Sequence, residues 1–162
     1  ELFDWTESFG IASAPILVIA YKTGHMEMTK EILAIVDEEF YDVCDENGLN
    51  VLHHAVIDNH LPFIELLLEQ YKFDPFQNQS GSNSPFAWAI FTQNLRLVEM
   101  FLKTKHVHSS FSSEIVNLSR FSVFNDKVVA GSEDQEEEIM NIERLVFIFG
   151  GDEISSLLKK YK

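Results

Sequence analysis

Six histidines and one cysteine carry most of the latent chemistry in this 162-residue chain, and their spacing decides how much of it is usable. His53 and His54 are sequence neighbours, so on a helix they point to different sides. They lack the i, i+4 spacing with which a helix presents two imidazoles to one metal ion. His25 and His60 stand 35 positions apart in equivalent surroundings, and repetition explains them without a metal. His106 and His108 flank a single residue, with no cysteine or third ligand close in sequence. Cys44 lies among Asp42, Asp45 and Glu46, whose charge raises a thiol pKa and disfavours a nucleophilic role. There is no G-x-S-x-G, no phosphate loop and no H-E-x-x-H. The expectation is therefore no catalytic residue, no metal, no cofactor and no enzyme within these residues.

The elements that would position such side chains must come from the rest of the chain. Its length fits one domain, and 46% hydrophobic residues suffice for a core. Twelve Lys and Arg stand against 26 Asp and Glu, a formal net charge of −14. That balance argues against nucleic acid and anionic membranes, which are bound by clustered basic residues, and favours a partner with a basic segment. A single cysteine excludes an internal disulfide and suits a reducing compartment, so the expected location is intracellular and cytoplasmic. No apolar run has the length of a membrane span. Beginning at Glu1 and showing no signal-peptide pattern, the chain reads as part of a longer protein.

Internal repetition decides the architecture. Residues 50–68 and 84–102 superpose without a gap at a separation of 34, matching Leu52 with Phe86, Ala55 with Ala89, Glu65 with Glu99 and Leu68 with Leu102. In each second half the apolar residues fall at i, i+3, i+6 and i+7: Leu61, Ile64, Leu67 and Leu68, then Leu95, Val98, Phe101 and Leu102. This is one face of a helix. The same comb occurs earlier at Met26, Thr29, Ile32 and Leu33, and later at Ile139, Ile142, Leu145 and Val146. Shorter apolar segments precede it at 15–21, 51–57 and 85–91, and turn formers such as Asp45-Glu46-Asn47-Gly48 separate the pairs. Helix pairs of this size are stable only when stacked on neighbours.

Asn50-Val-Leu-His-His-Ala55, Ser84-Pro-Phe-Ala-Trp-Ala89, Gly24-His-Met-Glu27 and the 144–152 stretch RLVFIFGGD together resemble ankyrin repeats. The resemblance implies an all-α solenoid of stacked helix-turn-helix units joined by hairpin-like turns. The repeats are placed at about 12–44, 45–78, 79–111 and 112–152, with a terminal helix over 153–162. The fourth is the least regular: its first helix is expected within Ser113–Phe124, followed by an acidic, solvated insertion near 125–138. Val51, Ala87 and Asn59 depart from the family's usual proline, histidine and glycine. His53 occupies the motif's histidine position, which implies a structural residue tying adjacent turns together.

The resemblance also implies that a partner is gripped by the turn tips and the concave side of the first helices. Aligning the copies, with a one-residue shift in the first, brings Tyr21, Ile57 and Phe91 to one site. There they form either an exposed apolar stripe for a partner or core packing between repeats. Leu49 and Asn50 at one turn tip, and Ser82 and Asn83 at the next, would extend the surface. Trp88 reads as packing. The function expected is protein–protein recognition, the alternative being a regulatory or assembly domain of a larger protein whose catalysis lies elsewhere. Partner identity and oligomeric state are not encoded in any of these patterns.

Overall fold

A computed structural model describes residues 16–41, 43–77, 82–104, 115–117, 121–124, 127–130 and 139–161. Three helix pairs follow one another: α1 (Ile16–Lys22) with α2 (Met26–Ile35), α3 (Val51–Ile57) with α4 (Leu61–Glu69), and α5 (Pro85–Phe91) with α6 (Leu95–Leu102). The first helices stack side by side, α1 on α3 and α3 on α5, while each second helix packs on its own partner. The repeat stack is helical throughout, as the period requires.

Sequence chemistry sets the ends of these short helices. Asn50 and Ser84 act as N-caps, their side-chain oxygens accepting the backbone N–H of His53 and Ala87. Pro85 and Pro62 sit in first turns, where a missing N–H costs nothing. Each first helix ends in one residue of positive φ: Gly24 at 80°, Asn59 at 53° and Gln93 at 55°. The reversals are alike, because His25, His60 and Asn94 donate their N–H to the carbonyls of Ala20, Ala55 and Ala89 at 2.9–3.0 Å. Between pairs, Asp45–Leu49 makes the hairpin-like turn, with Gly48 at φ 73° and its N–H on the Asp45 carbonyl.

The core is continuous along the stack and densest at α5, where Pro85 to Ile90 are all buried, Trp88 among them. Aromatic pairs join successive units. Tyr21 stacks on Phe63 at 5.1 Å and Tyr41 on Phe73 at 5.0 Å.

Beyond α6 the chain departs from expectation. The region read as a helix within Ser113–Phe124 holds strands: β1 (Ile115–Asn117) pairs antiparallel with β4 (Ile139–Asn141), and β2 (Phe121–Phe124) with β3 (Lys127–Ala130). The physical reason is local. Phe121-Ser-Val-Phe124 and Lys127-Val-Val-Ala130 are rich in β-branched and aromatic residues, and only Asn125-Asp126 separates them in sequence. Part of the expected solvated insertion is thus a strand; Glu133, Asp134 and Glu136 to Glu138 lie outside the described residues.

A fourth helix pair does follow, but in a different register. α7 (Ile142–Leu145) continues into a π-helical turn, Val146–Gly150, and both pack on α5; α8 (Gly151–Leu158) packs on α6. The comb at Ile142, Leu145 and Val146 therefore belongs to a first helix, not to a second one. An apolar comb looks the same on either; the packing on α5 decides, and Asn141 caps the helix by accepting the N–H of Arg144. Gly150 and Gly151 form the joint between the two helices. Gly150 is crowded, since a Cβ there would lie 3.1 Å from Val146 Cγ1, and Gly151 has φ 64°.

Candidate functional site

The turn and cap residues of the second unit build a buried polar latch. Asp45 Oδ1 accepts the N–H of Asn47 and Leu49 at 2.9 and 3.0 Å, and its Oδ2 lies 2.8 Å from His54 Nε2. Burial alone would raise the Asp45 pKa. The His54 hydrogen bond and the two backbone N–H groups outweigh it and hold the carboxyl below its usual range.

His53 and Asn50 complete a reciprocal cap: Asn50 Oδ1 accepts the His53 N–H at 3.1 Å, and the Asn50 N–H donates to His53 Nδ1 at 3.2 Å. With Nδ1 accepting, Nε2 carries the proton and donates to the carbonyl of Asn83 at 2.9 Å. This bond ties the second unit to the entry of the third. Complete burial pulls the His53 pKa down to about 4, the Asn83 carbonyl only partly opposing it, so the ring is neutral near pH 7. His53 thus has the structural, turn-tying place that the sequence implies.

The same latch changes the reading of the turn tips. Leu49, Asn50, Ser82 and Asn83 are all buried, not presented to solvent. Asn50 spends its side chain on the cap, and the Asn83 carbonyl is held by His53. The tips become interior because neighbouring turns lean on one another.

The expected stripe also needs correction. Gly24, Asn59 and Gln93 donate their N–H to Tyr21, Val56 and Ile90, at 3.0, 3.0 and 2.9 Å. Tyr21 is thus equivalent to Val56 and Ile90, all three buried, and the one-residue shift in the first repeat is wrong. Burial first, and the Asp58 carboxylate second, push its phenol pKa well above the ordinary value. In the first unit the true equivalent of Ile57 and Phe91 is Lys22, exposed; in the fourth, the π-helical turn puts one more residue between the Asn141 cap and the positive-φ Gly151, and the exposed Ile148 and half-buried Phe149 lie in that turn. Ile57 and Phe91 are themselves half-buried.

Sequence reasoning missed Ile148 because it placed that segment in a second helix. Phe149 follows and closes on Phe91, ring centroids 5.0 Å apart. On the first-helix side there is thus an apolar row, Ile57–Phe91–Ile148, with Lys22 at its start. Tyr21, Met26, Asp58, Asn59 and His60 line a shallow depression at the first two reversals.

His106 and His108 lie outside the described residues. Among the described residues no three His, Cys, Asp or Glu side chains come together as a metal site, and Cys44 is half-buried. No helix among them is long and apolar enough to cross a membrane.

A family model described as ankyrin repeats, in three copies, matches residues 16–110, the span of the three regular helix pairs. No curated protein and no solved structure matches the chain.

Proposed function

Because this chain belongs to the ankyrin-repeat family, whose repeats are protein–protein interaction modules, we propose that it is a recognition module without catalytic activity, gripping a partner protein along its first helices. The observation that carries this reading is the row Ile57–Phe91–Ile148, which leaves apolar surface on consecutive units. Apolar surface repeated in line, on a rigid stack, is what a partner's side chains bury on docking. Tyr21, Leu49, Asn50, Ser82 and Asn83 support the site from within, by holding the units in register, rather than by touching the partner. The net charge of −14 favours a partner with a basic segment, drawn in by long-range attraction.

The test is a binding comparison between wild type and Ile57→Ser/Ile148→Ser, after circular dichroism has shown equal folding. A partner held by wild type and released by the double variant supports the row. A partner held equally by both, at equal affinity, removes it.

A further inference from the structure

Thr23, Asp58 and Thr92 hold equivalent places after the first helices of three units, donating their N–H to the carbonyls of Ile19, His54 and Trp88 at 2.9–3.0 Å. The two threonines also turn their hydroxyls back on the helix. Thr23 Oγ1 donates to the Ile19 and Ala20 carbonyls at 2.8 and 3.2 Å, and Thr92 Oγ1 to those of Trp88 and Ala89 at 2.9 and 3.3 Å. They thereby satisfy some of the last carbonyls of α1 and α5. Asp58 cannot do this, because a carboxylate has no hydrogen to donate, and it sets a negative charge at the negative end of α3. An acid is locally the wrong choice here, a departure of the kind that function retains.

The surroundings of Asp58 are open and partly aromatic. It lines the shallow depression at the first two reversals with Tyr21, Gly24, Met26, Asn59 and His60. The Tyr21 phenol donates to its carboxylate. That bond alone does not account for the charge, since an asparagine would accept it as well. The His60 ring lies beside those of Tyr21 and Phe63, with centroids 6.2 and 5.8 Å away. Gly24 leaves room, for nothing lies within 4 Å of where its Cβ would be. Among the described residues no lysine, arginine or histidine forms an ion pair with Asp58.

A carboxylate oriented by a phenol, beside two rings and a thioether, suits a planar cation that bonds the carboxylate and lies against the rings. An anion would be repelled by Asp58 and by a chain of net charge −14. A metal ion needs more ligands, and no third one joins Asp58 and His60 among the described residues. We propose that this depression is a subsite for an arginine side chain of the partner, with Asp58 gripping the guanidinium and Tyr21 and His60 flanking it. The inference rests on the reading of the first-helix side as a partner surface, because Asp58 directly follows Ile57 of the apolar row. It gives the partner a defined order, an arginine next to the apolar residues that cover Ile57 and Phe91.

The test is a titration of N-acetylarginine amide into the isotope-labelled chain at neutral pH, following the backbone amide resonances. Saturable shifts are expected around residues 21–26 and 57–60, and none with the uncharged citrulline analogue. The citrulline comparison needs no variant. Asp58→Asn keeps an acceptor for Tyr21 and removes the charge. It should match wild type by circular dichroism and bind the arginine amide about tenfold more weakly. Shifts that are absent, spread over the whole acidic surface, or equal in Asp58→Asn overturn the subsite, and so does equal binding of citrulline. The two readings fail separately. A failed arginine titration, beside a partner that Ile57→Ser/Ile148→Ser still releases, sinks the subsite and leaves the row standing. A partner held by that double variant, with arginine amide bound at Asp58, sinks the row and leaves the subsite.

Discussion

His53 Nε2 donates to the carbonyl oxygen of Asn83 across 2.9 Å and thirty residues of chain. The bond lets a buried imidazole of the second unit hold the entry to the third, and it makes the join between units sensitive to protonation.

Acid should weaken the fold before it touches most carboxylates. The His53 pKa is about 4 in the folded chain, against 6.5 for a free imidazole. The unfolded chain therefore takes up this proton first. Stability is full above about pH 6.5 and falls as pH drops toward 4, by about 3 kcal/mol for this group. The Asp45 contribution, from a lowered carboxyl pKa, is lost only at lower pH, below the usual carboxylate range. Urea unfolding at steps from pH 7 to pH 4 measures the slope. His53→Gln should flatten it.

Removing the ring itself leaves the Asn83 carbonyl and the Asn50 N–H without their partner inside the core. His53→Ala is expected to cost about 2–4 kcal/mol, from unsatisfied polar groups together with a cavity. His54 is partly exposed and bridges only within its own unit, to Asp45. His54→Ala should cost less, and the difference in urea midpoints between the two variants checks this.

Tyr21 and Ile57 should separate cleanly. Tyr21 is buried against Phe63, so Tyr21→Ala is expected to destabilise by about 3–5 kcal/mol, as large aromatic deletions from cores do. Ile57→Ser, at a half-buried position, should cost markedly less and act on binding instead. Thermal unfolding of the two variants distinguishes a core position from a surface one.

Gly151 combines φ 64° with ψ −177°, a conformation essentially confined to glycine. Nothing lies within 4 Å of where its Cβ would be, so the penalty of Gly151→Ala is conformational and not steric. About 1–3 kcal/mol is expected, read from the unfolding midpoint.

Affinity for a basic partner peptide should fall as salt is added, because the net charge of −14 acts over distances that ions screen. Titrations at low and high ionic strength test it. An affinity that does not move with salt would take charge out of the recognition.

The sequence by itself determined the helix pairs and their repetition. A 34-residue self-match and a recurrent apolar comb dictate amphipathic helices that must stack, and these signals are local and periodic. His53 was equally legible as a tie between turns, whereas the cap roles of Asn50 and Ser84 emerged only from the structure. Only the tertiary structure decided which apolar residues face inward. Tyr21 and Ile57 are both large and apolar, and a shift of one residue exchanges core for surface, because on a helix each step turns the side chain by about 100°. Likewise Asn50, Ser82 and Asn83 read as exposed turn residues until neighbouring turns are seen to bury them. The last unit shows the same limit: one comb serves either helix of a pair, and packing on α5 or on α6 is a relation between distant parts of the chain.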